Sequence, residues 1–214
     1  MENITAEAIK KKLELLQNSI DVPRENNTQV NLPAVKNAGK ALKKLIRNFP
    51  THDNLDEIYL KVVAINSLYS TNIYDTYKIA YHIKERVKNI DSRLERGDLT
   101  LVHEIASGHH IENKDGKEKL FYSFATKYCS CHNPEHYAIY DTLIQDILIK
   151  DYNVGKSGKE RINYEKLRSY ENFMNVISDF KHRRNLAEVS LKDIDMYLWI
   201  TGKEKEMEKS NPSD

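Results

Sequence analysis

An all-helical fold is predicted by three features of the 214-residue sequence. Apolar residues recur at helical spacing along nearly its whole length, no segment sustains the two-residue alternation of a half-buried strand, and only 7 glycines and 5 prolines interrupt the chain. The composition, 40% hydrophobic and 30% charged, suits a folded domain rather than a disordered one. The 33 basic and 32 acidic residues nearly cancel, so an argument for a polyanionic partner has to rest on local clusters of charge. Cys129 and Cys131, with one residue between them, are poorly placed to pair and fit a reducing, cytoplasmic setting. The start, Met1-Glu2-Asn3-Ile4, lacks a basic segment followed by an apolar run, so no signal peptide is expected. No apolar stretch is long enough to span a bilayer, and no membrane partner is expected.

The elements follow in order. Ile4, Ala8, Leu13, Leu16 and Ile20 share one helical face, and a polar loop from Asp21 to Leu32 follows. Pro33 suits a first helical residue, where its missing N–H costs nothing. Val35, Ala38, Leu42, Leu45, Ile46 and Phe49 then form the apolar stripe of a second helix that Pro50 closes. Asn54 with Glu57 has the spacing of a capping pair, opening a helix with Leu55, Ile58, Val62, Ile65 and Tyr69 inward. Thr71-Asn72 marks a break before a helix carrying Ile73, Tyr77, Ala80, Ile83 and Val87. Gly97-Asp98 is a turn into a short helix ending near Ala106, and Gly108 to Lys119 is a polar loop in which His109-His110 is expected to face solvent. Phe121, Phe124 and Tyr128 line one side of the next helix, which Asn133-Pro134 ends. Ile144, Ile147 and Leu148 face inward from a helix spanning about Asp141 to Tyr152, followed by a basic loop to Arg161. One long helix is predicted from Asn163 to Arg183, with Leu167, Phe173, Val176, Ile177 and Phe180 inward. Ser190 with Asp193 caps a final helix through Trp199, with Gly202 as its stop. The reading is a single domain over 1–202 with a charged, frayed tail over 203–214.

The stretch richest in chemistry is Phe121-Tyr122-Ser123-Phe124-Ala125-Thr126-Lys127, followed by Tyr137-Ala138-Ile139-Tyr140-Asp141-Thr142-Leu143-Ile144. It sets Lys127 late in one helix and Asp141 at the head of the next. A desolvated lysine amine can form a Schiff base. A carboxylate can activate that amine or water, or offset positive charge developing on a sugar. Each residue also has a plain structural reading, Lys127 as a solvated helix lysine and Asp141 as an N-cap.

These residues resemble the helix-hairpin-helix DNA glycosylases, above all their 8-oxoguanine glycosylase branch. That family carries a Leu-Pro-Gly-Val-Gly-x-Lys hairpin and then a Val-Asp-Thr or Val-Asp-Val element heading a helix. The family lysine falls on Lys127 and the family aspartate on Asp141. Upstream, Leu60-Lys61-Val62-Val63-Ala64-Ile65-Asn66-Ser67-Leu68-Tyr69-Ser70-Thr71 resembles the family's apolar helix running into a polar corner that approaches the lesion. The likeness covers roughly residues 55–150 in family order. The hairpin is degenerate: Tyr122, Ser123 and Ala125 stand where the family has proline and glycines, and a Cβ there obstructs close approach of backbone amides to a phosphate. The chain lacks the cysteines of the iron–sulfur subtype.

The resemblance implies a two-lobed all-α glycosylase-like domain with a cleft, in which Lys127 and Asp141 are catalytic and Asn66, Ser67 and Tyr69 lie across from them. Tyr122, Tyr128 or Tyr140 would stack a flipped base. Basic clusters offer phosphate contacts: Lys40, Lys43, Lys44 and Arg47 on the second helix, then Lys156, Lys159 and Arg183 further on. They also fit ordinary solvated faces. The implied activity is excision of a modified base from double-stranded DNA by a monomer, with an abasic-site lyase step open to it and no cofactor. The alternative is a non-catalytic helical module for DNA or protein that kept the scaffold. No metal is expected, because Cys129, Cys131, His132 and His136 do not have the spacing of structural zinc sites. Gly155-Lys156-Ser157-Gly158-Lys159 fails the phosphate-loop pattern, with Asn153 in place of the first glycine and Glu160 where Ser or Thr belongs.

Overall fold

The computed structural model describes residues 4–19, 30–113 and 115–210. Among them are eleven α-helices: α1 (Ala6–Gln17), α2 (Leu32–Asn48), α3 (Leu55–Tyr69), α4 (Thr76–Glu85), α5 (Ile90–Glu95), α6 (Thr100–Ala106), α7 (Tyr122–His132), α8 (Thr142–Tyr152), α9 (Tyr164–Leu167), α10 (Tyr170–Arg183) and α11 (Leu191–Ser210). A 3-10 turn at Gly158–Glu160 and one isolated bridge between Glu112 and Glu118 complete the described secondary structure. The all-α prediction therefore holds. No helix among the described residues is long and apolar enough to cross a membrane.

The helices divide between two compact units, one drawn from 1–39 and 141–214 and the other from 40–140. In the terminal unit, α8 packs on α10 and α11, and α1 on α11. Leu16, Ile144, Leu148, Leu167, Phe173, Val176, Ile177, Phe180, Ile194 and Leu198 are buried there. Asp151, 2% exposed in the last turn of α8, is clamped by two arginines from the end of α10. Arg183 donates to its Oδ2 at 2.6 Å and to its carbonyl at 3.1 Å, and Arg184 donates to its Oδ1.

In the central unit, α3 packs on α4 and α7, and α6 packs on α7, α4 and α5. Ile58, Val62, Ile65, Ile79, Ile83, Leu101, Ile105, Phe124 and Tyr128 are all fully buried. The Tyr137 hydroxyl donates to the carbonyls of Arg93 and Asp98, each at 3.1 Å, and so ties the chain after α7 to α5.

Several boundaries differ from the sequence reading. The expected long helix over 163–183 is two, because Ser169 ends one turn and caps the next by accepting from Asn172 N–H. Gly202 is not a stop: α11 continues through the expected tail to Ser210. A Cβ at Gly202 would lie 2.7 Å from the carbonyl oxygen of Leu143, so its glycine serves the close approach of α11 to α8. Asn54 donates to the Glu57 carboxylate at 3.1 Å rather than capping α3. Tyr77, expected inward, is 53% exposed, since α4 turns Ile79, Ala80 and Ile83 to the core instead. His109, expected at the surface, is buried and bonds the carbonyl of Ala106 through Nε2. Most of the polar loop before α2 lies outside the described residues.

Candidate functional site

The first turn of α7 begins where the backbone N–H of Phe121 bonds the carbonyl of Ala106. Phe124 and Tyr128 then lock the helix into the core, each almost wholly buried. Ser123 and Lys127 stand four residues apart, so their side chains meet on one face. Lys127 is not a solvated lysine: the residue is 4% exposed, its Nζ donates to Ser123 Oγ at 2.6 Å, and the ammonium lies 5.6 Å from the centre of the Tyr69 ring. The Ser123 hydroxyl in turn donates to the carbonyl of Tyr140 at 3.3 Å. Thr126 adds a second tie, accepting from the Tyr140 N–H at 3.1 Å. Lys127, Ser123, Tyr69 and Tyr140 thus form one cluster in the central unit. Tyr122 packs on Tyr140 with ring centres 4.8 Å apart, and exposed His103 stacks on Tyr122. Burial and the neighbouring Tyr140 push the Tyr122 phenol far above its usual range.

Asp141 belongs to the terminal unit by the division of the fold. Its backbone is extended, and its Oδ1 accepts from Leu143 N–H at 3.0 Å, capping α8. Asn66 staples the corner between α3 and α4. Its Oδ1 accepts from Thr71 Oγ1 at 2.8 Å and from Ile73 N–H at 3.0 Å, while its amide donates to the Ile73 carbonyl at 2.9 Å. Ser67 is exposed beside it.

The tyrosines expected to stack a base are not available for it as a group. Tyr128 is fully buried and bonded to His52, and Tyr122 and Tyr140 are 5% and 7% exposed, packed against each other. A hydroxyl at the end of a phenyl ring suits core and surface alike, so sequence spacing does not separate them. The exposed tyrosines among the described residues are Tyr164, at the start of α9, and Tyr59, Tyr74, Tyr77 and Tyr81, of α3, α4 and the link between them, where Tyr59 and Tyr77 meet edge to face at 5.6 Å.

Of the basic residues, Lys40, Lys43, Lys44 and Arg47 are exposed along α2, and Lys159 is exposed in its loop. Lys156 is held over the Tyr152 ring and lies 3.9 Å from Asp179. Arg183 is engaged by Asp151 and Asp179. A phosphate role for these last two would require giving up contacts within the chain.

A second polar cluster of the central unit, not expected from the sequence, runs from exposed Asp91 to buried His52, Tyr128 and Lys61. Asp91 accepts from His52 Nδ1 at 2.5 Å, and His52 Nε2 in turn accepts from the Tyr128 hydroxyl at 2.8 Å. The His132 ring stands 4.7 Å from His52, and its buried Nε2 has no partner among the described residues. Lys61, wholly buried, donates to the carbonyls of Phe49 and Thr51 at 3.1 and 2.7 Å. Its position on the inward stripe between Ile58 and Val62 was the available signal. Among the described residues, no three His, Cys, Asp or Glu side chains gather as a metal site.

Burial, reinforced by the Lys61 charge, lowers the His52 pKa to about 4, although Asp91 pulls the other way. The unfolded chain binds this proton near the ordinary histidine value of about 6.5. Between the two values the unfolded state holds more protons, so the stability present above pH 6.5 is lost as pH falls toward 4. His52 alone accounts for about 3 kcal/mol by this linkage, and burial of His132 acts in the same direction. Urea midpoints measured from pH 7.5 down to 5 are expected to fall steadily below 6.5; a flat profile would contradict the buried neutral histidines.

Comparison with known proteins adds the lineage. Residues 8–136 match the HI_0787_N family model, described as an N-terminal domain, and the chain belongs to this family. The matched span contains Lys127 and ends before Asp141. Over 155 residues the chain is 40% identical to an uncharacterised protein of Haemophilus influenzae (strain ATCC 51907 / DSM 11121 / KW20 / Rd), covering 70% of this chain and 71% of that protein. No solved structure matches the chain.

Proposed function

We propose that the chain is a divergent, cytoplasmic DNA glycosylase that excises a modified base from double-stranded DNA, with Lys127 as its amine nucleophile. The observation that carries the reading is the burial of Lys127 against a serine hydroxyl and an aromatic ring, at the position that the resemblance marks for the family lysine. A lysine amine held in place at such a site can serve as a nucleophile toward a sugar carbon. In the proposed reaction the amine attacks the sugar C1′, and the base leaves with the glycosidic electron pair. The ring then opens to a Schiff base, from which β-elimination can cut the strand. Asp141, which caps α8, is the carboxylate proposed to offset the developing sugar cation. No cofactor enters these steps. The exposed tyrosines of α3, α4 and their link are better candidates than Tyr122, Tyr128 and Tyr140 for stacking on bases.

A second reading has its own support. Asp141 makes an ordinary capping bond, and Tyr122, Ser123 and Ala125 carry Cβ atoms where glycines serve the family hairpin. Both facts suit a non-catalytic helical binding module. Incubation with duplexes carrying a panel of modified bases separates the two readings: base release supports the glycosylase, and duplex binding without release supports the module. Affinity for duplex is expected to fall steeply with salt. Changing Lys40, Lys43, Lys44 and Arg47 together to glutamine should weaken it by about tenfold or more. Undetectable duplex binding at low salt would contradict both DNA readings.

A further inference from the structure

We propose that Ser123 is the positioning residue for Lys127, an assignment that rests on reading Lys127 as an amine nucleophile. Ser123 occupies a place where the resembling glycosylases carry a hairpin residue without a hydroxyl, so the contact is a feature of this chain. Its geometry is directional. The Ser123 O–H is donated to the Tyr140 carbonyl at 3.3 Å, which leaves the oxygen lone pairs to face the amine. Lys127 Nζ then donates to that oxygen at 2.6 Å. Both side chains project from α7, four residues apart, and Phe124 and Tyr128 fix the helix in the core. The hydroxyl cannot turn to donate to the amine without giving up Tyr140. One N–H of Lys127 is therefore directed at Ser123, and the nitrogen is held at a fixed place beside α7. That arrangement places the nitrogen before any carbonyl or sugar carbon arrives, which lowers the entropic part of the barrier.

In the imine-forming step the Lys127 nitrogen donates its lone pair to a carbonyl carbon. The C–N bond forms, the carbonyl oxygen takes two protons and leaves as water, and an iminium remains that a hydride donor reduces to a secondary amine. Ser123 takes no proton in this sequence; it holds the nitrogen.

The test uses glycolaldehyde with cyanoborohydride on the whole protein, with adducts located by peptide mass spectrometry. Exposed Lys40, Lys43 and Lys44 serve as internal references. Relative to them, labelling of Lys127 is expected to drop about tenfold in Ser123→Ala, by the loss of one hydrogen bond to a charged or reacting group. Ser123→Thr, which keeps the hydroxyl, should stay within about twofold of wild type, because the same bond can form. Melting temperatures of the two variants identify any that fail to fold, and circular dichroism of Ser123→Thr provides the folded comparison. If Ser123→Ala labels like wild type, if Ser123→Thr falls with it, or if Lys127 of the wild type takes no label, the assignment is overturned. Absence of base release from DNA with the labelling pattern intact would instead defeat the glycosylase reading and leave the positioning role standing. Where release occurs, Ser123→Ala should lower kcat with KM little changed, a split that loss of DNA binding would not produce.

Discussion

Asp151→Ala is expected to destabilise the terminal unit by about 3 kcal/mol, which corresponds to a fall in melting temperature of roughly 10 °C. The carboxylate is 2% exposed and accepts from both Arg183 and Arg184. Removing it leaves the Arg184 guanidinium beside a buried gap without its carboxylate, while Arg183 keeps Asp179 and the main-chain carbonyl of residue 151. Breaking one side of a buried ion pair costs more than the pair contributes, because the remaining charge stays desolvated. Partial exposure of Arg183 moderates the loss. Asp179→Ala is the control. Its partner is the same Arg183, but the pair is a surface contact one helical turn apart, worth about 0.5 kcal/mol. Paired denaturation curves of the two variants check the contrast, and equal effects would show that burial of Asp151 is not what stabilises the ends of α8 and α10.

The helices were legible because burial imposes a 3.6-residue rhythm on the chain: Ile58, Val62 and Ile65, or Phe173, Val176, Ile177 and Phe180, can be read directly. What escaped the sequence was set by contacts between distant segments. The six residues of α5 are too few to show a period, and Arg93 anchors them through Asp98 and Glu104. A glycine after an apolar run commonly ends a helix, whereas Gly202 permits close packing of α11 on α8. At the candidate site, Lys127 was legible by its place in a motif, but its burial was not. The sequence marks Ser123 as a departure from the hairpin pattern, and nothing local announces its bond to Lys127. The chain of Asp91, His52 and Tyr128 joins three elements, and no local spacing announces such a meeting.

Lys127→Gln is expected to abolish covalent chemistry while leaving the fold in place. Glutamine is close in length and can still donate to Ser123 Oγ, so little packing changes and stability should move by about 1 kcal/mol or less. It has no amine, so neither imine nor adduct can form. Asp141→Asn separates catalysis from capping. Asparagine caps a helix about as well as aspartate, so a purely structural Asp141 predicts unchanged turnover and unchanged melting. A catalytic carboxylate predicts a loss of about a hundredfold or more in rate with the melting temperature held, since the amide carries no charge to offset the sugar cation.

The most direct measurement is borohydride trapping of the wild-type protein on a duplex carrying a base it releases, with the adduct mapped by peptide mass spectrometry. The account predicts a covalent protein–DNA adduct on Lys127 that disappears in Lys127→Gln. Base release without any adduct, or an adduct on another lysine that survives Lys127→Gln, would contradict it.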